Sequence, residues 1–389
     1  MITFDLNLVL YLVAFAWHYS LLCGYVSDDH AAVAQRQDII PDSEKIDRGE
    51  SFWVKRFNDG IVMYYQTRIF WKLGLKDLPF FWHLFSLSVH LANTSLLFLF
   101  LCPLIGYNQA ICTCAFWAVN PMLNQNVVWI SGRPYLFGFF FGIIAMICWH
   151  TPYVFIPYYL LSVLTNISGF FIPNLIMIIF GVTWQSKLYL FIQLACAAPF
   201  IIWKFNKRFK NGLVIDRENF AFKWRKVNTC VRIIMYYLVT YFTPVRMGWY
   251  HQAGFRYNIK WEKFNYITLI GYLTVGLFIL KFKWAWWFFL LGFMPNSNLY
   301  ATNSFLQDRY LYFCSVGIAV ALSPLLVQYP TLFIIALTFY VTRTYMYSRH
   351  LKNDEKLYRE NWRNHPRSDY AINNLSFFLI QQRRYDEAR

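Results

Sequence analysis

Charge is scarce in this chain: only 14% of its 389 residues are Asp, Glu, Lys or Arg, whereas 58% are hydrophobic and 21% aromatic. Soluble domains carry about a quarter of their residues charged, so a large soluble domain is excluded and a polytopic membrane protein is implied. Cysteine pairing is missing too. Cys102, Cys112, Cys114, Cys148, Cys196 and Cys314 lie in or beside apolar runs without extracellular spacing, and Cys112 and Cys114 are too close in sequence for an ordinary metal pair. Buried thiols and no disulfide framework follow. There is no glycine-rich phosphate loop, no HExxH and no paired CxxC, so soluble-nucleotide chemistry and a sequence-encoded metal site gain no support. The first apolar run, Leu6 to Cys23, has no basic region ahead of it and no small-residue cleavage signature behind it. It reads as a retained first span.

What is present is a series of apolar segments. A helix needs roughly 20 apolar residues to cross about 30 Å of hydrocarbon, which predicts an all-α polytopic protein with about 11 transmembrane helices. After the first, the segments run at 79–101, 108–120, 134–150, 153–165, 170–184, 186–203, 228–245, 265–280, 284–300, 310–327 and 330–347. Several are short, and Pro121, Pro173, Pro244, Pro295 and Pro324 interrupt or end them, so half-spans and tilted pieces are expected. The net charge of +16 comes from basic residues scattered among the connecting loops. That pattern fits anionic membrane lipid as the partner, not nucleic acid.

Residues 27–78 are polar with amphipathic, aromatic-rich patches such as Gly60 to Phe70, which suits helices lying along the interface. Between Asp28 and Asp59 eight acids face five bases, which places this loop on the non-cytoplasmic side. The loop at 204–226 carries eight bases and two acids and belongs inside by the same tendency, yet counting spans from a cytoplasmic N-terminus puts it outside. The chain therefore divides into a transmembrane domain, 1–348, and a polar helical tail, 349–389. In the tail Ala371, Leu375 and Leu379 recur at helical spacing before a charged turn. That is the pattern of one tetratricopeptide-like segment, a motif that buries its face only against neighbours, so a protein partner at the tail is expected.

Three polar clusters could carry chemistry. Asp28 and Asp29 follow the first span, where one carboxylate could take a proton from an incoming hydroxyl and the other orient an acceptor or bind a metal. Equally, they could cap a helix starting near His30. Arg133 opens a span after Asn120-Pro-Met-Leu-Asn-Gln-Asn-Val-Val-Trp-Ile-Ser-Gly132, and could grip a phosphate oxygen or simply snorkel beside Trp129. Asp308 and Arg309 stand at the mouth of another span, flanked by Tyr310 and Tyr312. His83 and His90 share a face two turns apart, too far for one metal, and read as packing or hydrogen-bonding histidines.

In order along the chain, SDDHAAVAQRQDI from Ser27, FFWHLFSLSVHLANTSLLFLFL from Phe80, NPMLNQNVVWISGRPYLFGFFF from Asn120, PNSNLYATNSFLQDRYLYFCSVG from Pro295 and NNLSFFLIQQRRYDEA from Asn373 resemble the transmembrane and tetratricopeptide-repeat O-mannosyltransferases. These belong to the GT-C class of lipid-linked glycosyltransferases. The resemblance implies transfer of a sugar, usually mannose, from a polyprenyl-phosphate donor to a protein hydroxyl. It implies Asp28 as general base, Asp29 as its neighbour in the acceptor site, and Arg133 with Asp308 and Arg309 around the donor phosphate. It places the active site on the lumenal side of the endoplasmic reticulum or the periplasmic side of a bacterial inner membrane, and leaves a divalent metal open. The chain departs from the family pattern at Pro134 and Tyr135, where relatives carry an Asp nearby. It departs again at Leu164-Thr-Asn-Ile-Ser168, where they carry a Ser-Lys-Glu element, and in having a single repeat fragment in place of an array. Those departures fit a second expectation, a catalytically silent relative that scaffolds a membrane assembly.

Overall fold

The computed structural model describes residues 5–27, 29–30, 61–202, 224–245, 247, 249, 266–297, 307–366 and 368–388, and among these every regular element is helical. The helices are α1 (Leu6–Trp17), α2 (Ile61–Lys72), α3 (Pro79–Ile105), α4 (Tyr107–Ala118), α5 (Arg133–Ile147), α6 (Pro152–Thr165), α7 (Ile172–Phe180), α8 (Trp184–Ile192), α9 (Trp224–Phe242), α10 (Tyr266–Phe293), α11 (Leu311–Gln328), α12 (Pro330–Ser348), α13 (Asp354–Asn364) and α14 (Asp369–Gln381). Among the described residues four stretches are long and apolar enough to cross a membrane: Pro79–Ile105, Ile130–Ile147, Trp184–Ile202 and Asp308–Gln328. Shorter apolar helices, Leu6–Leu22 among them, pack around these. The basic loop at 204–226 falls almost wholly outside the described residues.

Helix boundaries follow local chemistry. Asp5 caps α1 by accepting from the Leu8 amide at 2.7 Å. Gly106, at φ 81°, turns the chain between α3 and α4 in a conformation costly for any side chain. Pro173 lies in the first turn of α7, where no helical amide bond is lost, while Pro324 sits inside α11. The segments at 265–280 and 284–300 are not separate, because α10 runs unbroken from Tyr266 to Phe293. Lys281 and Lys283 interrupt the apolar run, but lysine is a good helix former, so hydropathy breaks there and the backbone does not.

On two helices apolar side chains face outward, as apolar surroundings demand. On α3 the buried face carries His83, Ser86, His90, Asn93 and Thr94, while Phe80, Phe81, Leu84 and Leu99 are exposed. On α12 the exposed residues include Leu332, Ile335, Phe339 and Met346. Helices in lipid gain little from burying apolar surface against one another, so their contacts depend on packing and hydrogen bonds. The main knot of such bonds joins α1, α3, α4, α5 and α11. The Ala118 carbonyl accepts from Trp17 Nε1 at 2.8 Å and faces His90 Nε2 at 2.9 Å. A carbonyl only accepts, so His90 is protonated on Nε2 and its Nδ1 accepts from the Tyr312 hydroxyl at 2.7 Å. Asn93 Nδ2 donates to Tyr312 Oη and to the Leu136 carbonyl, each at 3.0 Å. Among the described residues no three His, Cys, Asp or Glu side chains gather as a metal group.

The tail folds back on the helical body. Ala371, Leu375 and Leu379 are buried, as their spacing predicts, and the helix that carries them packs against α13. Glu355, Arg359, Arg384 and Glu387 form an exposed ion cluster in which the two arginines hold the Glu387 carboxyl down at about 2. Exposed pairs of this kind add little stability. Asn361 Oδ1 accepts from the Trp249 amide at 2.8 Å, and Asn364 Nδ2 donates to the Met247 carbonyl at 2.7 Å.

The knot predicts that Tyr312→Phe, which strips partners from His90 and Asn93 without changing shape, lowers stability by about 1–2 kcal/mol. Unfolding of the detergent-solubilised protein in a graded denaturant series measures it.

Candidate functional site

The segment joining α4 to α5 holds the site together. It is built of three short turns, Pro121–Leu123, Asn124–Val127 and Ile130–Gly132, and every residue from 119 to 133 is buried except the half-buried Ser131. Irregular backbone at membrane depth is tolerated only where protein satisfies its polar groups. Here neutral amides do so. Asn120 Oδ1 accepts from the Met122 amide at 2.9 Å and starts the first turn. Asn124 Nδ2 donates to the Pro121 carbonyl, and its Oδ1 accepts from Trp249 Nε1, each at 2.8 Å. Gln125 Oε1 accepts from the Arg309 amide at 3.0 Å, and Asn126 Nδ2 donates to the Arg309 carbonyl at 3.1 Å. Gly132 allows the turns to close, since a Cβ there would stand 1.9 Å from the Gln125 carbonyl oxygen.

Asp29 docks on this segment. Its Oδ1 accepts from the Ser131 amide at 2.8 Å and from Ser131 Oγ at 2.7 Å, and its Oδ2 takes a long bond of 3.4 Å from the Val26 amide. The side chain is fully buried. Burial pushes its carboxyl up to about 6, against the pull of the Ser131 and Val26 donors and the Arg133 charge. Next to it Tyr25 donates to the Lys76 carbonyl, and burial together with Asp77 and Asp29 raises its hydroxyl above the usual range. His83 Nε2 faces the Gly24 carbonyl at 3.3 Å and so ties α3 to the same loop. Asp28 lies outside the described residues.

Arg133 does not snorkel. It is 1% exposed, because the turn at Ile130–Gly132 points the chain inward before α5 begins. Its Nε donates to the Ile130 carbonyl at 2.7 Å, and the guanidinium lies 4.6 Å from the centre of the Trp82 ring. Among the described residues Nη1 meets no hydrogen-bond partner. Such a buried charge is costly unless something else shares it.

Arg309 stands over Trp129 at 5.1 Å and Tyr310 at 5.7 Å, and Trp129 packs on Trp249 at 5.1 Å. Asp308 is fully buried in the turn Asp308–Tyr310. The residue before it, Gln307, is fixed through both backbone groups by the Tyr237 hydroxyl, at 2.7 and 2.9 Å. One segment thus touches both of the clusters described on either side of it: Ser131 holds the acidic loop, and Gln125, Asn126 and Trp129 hold Arg309. Sequence reasoning named Arg133 but missed Ser131, Trp82, Trp249 and the amides. Four amide side chains within seven residues between two apolar spans were the signal, since such residues survive in lipid only where backbone awaits them.

Comparison with family models, with characterised proteins and with solved structures finds no match for this chain.

Two outcomes follow from this geometry. Gly132→Ala drives a methyl into the Gln125 backbone and destabilises the fold by about 3 kcal/mol or more, read as loss of monodisperse protein in detergent. For Asp29 the folded value, about 6, lies above the ordinary 3.8. The folded form therefore holds its proton longer, and this stabilisation is complete below pH 3.8 and lost as pH rises through 6. The loss amounts to about 3 kcal/mol at most. Asp29→Asn, which keeps an acceptor for Ser131, should flatten the fall in melting temperature across that window relative to the unsubstituted chain.

Proposed function

We propose that the chain is a GT-C-type membrane glycosyltransferase of about eleven spans, moving a sugar from a polyprenyl-phosphate donor to a protein hydroxyl. The observation that carries this reading is the buried Asn120–Arg133 segment, which ties an acidic loop to two arginines at the ends of apolar helices. A donor anchored by its lipid tail keeps its phosphate in the interfacial layer, so charges gathered there meet it without a soluble-nucleotide pocket. The five ordered motifs that resemble the O-mannosyltransferases support the same class, with mannose as the sugar.

In this reading Asp28 takes the proton of a serine or threonine hydroxyl, a poor nucleophile until a carboxylate accepts it. Oxygen attacks the anomeric carbon as the bond to the phosphate breaks, and one direct displacement inverts the configuration. Arg133 and Arg309 stabilise the negative charge developing on the leaving phosphate. Asp29 has both oxygens engaged by Ser131 and Val26, so it anchors the loop and leaves proton transfer to Asp28. Asp308 stays buried in the turn that carries Arg309. The site faces the endoplasmic reticulum lumen or the bacterial periplasm.

A second reading, a silent relative that scaffolds an assembly, is favoured by one feature: both arginines are covered by aromatic rings, Arg133 by Trp82 and Arg309 by Trp129 and Tyr310.

Glycopeptide mass spectrometry on cells expressing either the native chain or Asp28→Asn at matched levels separates the two. The transferase reading expects a defined set of O-linked glycopeptides to disappear in the variant. Identical profiles with folded, abundant protein would remove the catalytic assignment and leave the scaffold.

A further inference from the structure

The tail reaches the acidic loop through one carboxylate. Asp354 is the first residue of α13, directly after Asn353, whose side chain caps the helix by accepting from the Lys356 amide at 3.0 Å. Because Asn353 serves as cap, the Asp354 carboxylate is released to reach outward. Its Oδ1 accepts from the Ser27 amide at 2.6 Å, and its Oδ2 faces His30 Nε2 at 3.1 Å. Those two contacts bracket the acidic pair, one on the residue before it and one on the residue after. Ser27 has φ 55°, a left-handed conformation that a serine adopts at a cost unless something holds it. The neighbouring backbone is pinned to the same region of the tail, with the Gly24 amide donating to the Lys352 carbonyl at 3.0 Å. Within the bracket the Asp29 amide donates to the Val26 carbonyl at 3.1 Å, so displacing Ser27 displaces Asp29.

We propose that Asp354 is a positioning residue for the acidic loop, and that through it the C-terminal helix α13 forms a working part of the site. Its consequence for transfer rests on the transferase reading; its effect on the loop does not. The tail would then do more than recruit a partner, because anything that shifts α13 shifts Ser27 and with it Asp29.

Hydrogen–deuterium exchange on the full chain in nanodiscs tests the contact without needing activity. Asp354→Ala should speed exchange in the peptide spanning Ser27 and His30 roughly tenfold or more, with α13 still protected. Asp354→Asn keeps an oxygen where the Ser27 amide needs it and should stay near the unsubstituted rate. Asp354→Glu keeps the charge at the helix start but moves both oxygens by a methylene, and should exchange fast. Equal rates in all variants would overturn the proposal. So would the reverse order, with Glu protected and Asn fast, since that marks a charge serving only the helix dipole. If the Ala variant fails to fold, the Asn and Glu pair decides alone.

Glycopeptide yield supplies the second arm. Where the native chain transfers sugar, Asp354→Glu should cut yield at least tenfold and Asp354→Asn should retain most of it. Lost loop protection with undiminished transfer would overturn the role in the site. A native chain that transfers nothing ends the transferase reading, and the exchange order still settles the contact.

Discussion

A helix that stops inside apolar surroundings leaves its last carbonyls without partners, and each must be satisfied by protein. In this chain α4 stops at Ala118, and much of the remaining architecture answers that break. Trp17 and His90 take the Ala118 carbonyl, and Thr344 Oγ1 donates to the Val119 carbonyl at 2.6 Å. Three helices, α1, α3 and α12, are thereby fixed around the point where the chain leaves its helical path. The turns that follow could not be buried without them, and the candidate site is made of those turns.

The polar groups recruited for this task are mostly neutral. Asn120, Asn124, Gln125 and Asn126 each offer a donor and an acceptor, enough to satisfy facing backbone without bringing a charge into low dielectric. Where charge does enter, its cost is visible. Asp29 receives three donors and still has its carboxyl pushed up by burial, because desolvation outweighs hydrogen bonds that are themselves partly balanced by what water would have given. The placement is therefore expensive for the fold, and a purely structural clamp could have been made by an asparagine.

Sequence composition made the helical, apolar character of the chain legible, and the spacing of Ala371, Leu375 and Leu379 revealed the buried face of α14. It also exposed the shared face of His83 and His90, though not the wider polar stripe of Ser86, Asn93 and Thr94 to which they belong. The joint between 280 and 284 was misread because hydropathy reports charge and not backbone continuity. The burial of Arg133 was not legible for a different reason: whether an arginine at a span end faces water depends on the turn before it, and the turn at Ile130–Gly132 is set by contacts with Gln125 and Asp29. The Gln125 contact is local, but Ser131 and Asp29 stand 102 residues apart, and no local pattern encodes that pairing. The docking of Asp354 on Ser27 is the extreme case, spanning 327 residues.

The aromatic cover over the two arginines can be weighed against the proposed chemistry. A guanidinium over an aromatic ring gains about 0.5–2 kcal/mol, whereas each charge-assisted bond to a phosphate oxygen is worth about 1.5–3 kcal/mol, and a bidentate pair makes two. In the transferase reading, a phosphate brought to the interface by its own lipid tail would exchange a ring face for an oxyanion at Arg133, whose Nη1 meets no hydrogen-bond partner among the described residues. In the transferase reading the rings would act as a placeholder that limits the cost of burying the cation before a donor arrives. For a scaffold the same burial would bring no return, and a leucine of similar volume would serve the packing better. For the transferase reading, a fully buried arginine beside a buried aspartate is thus the feature of this fold that weighs most.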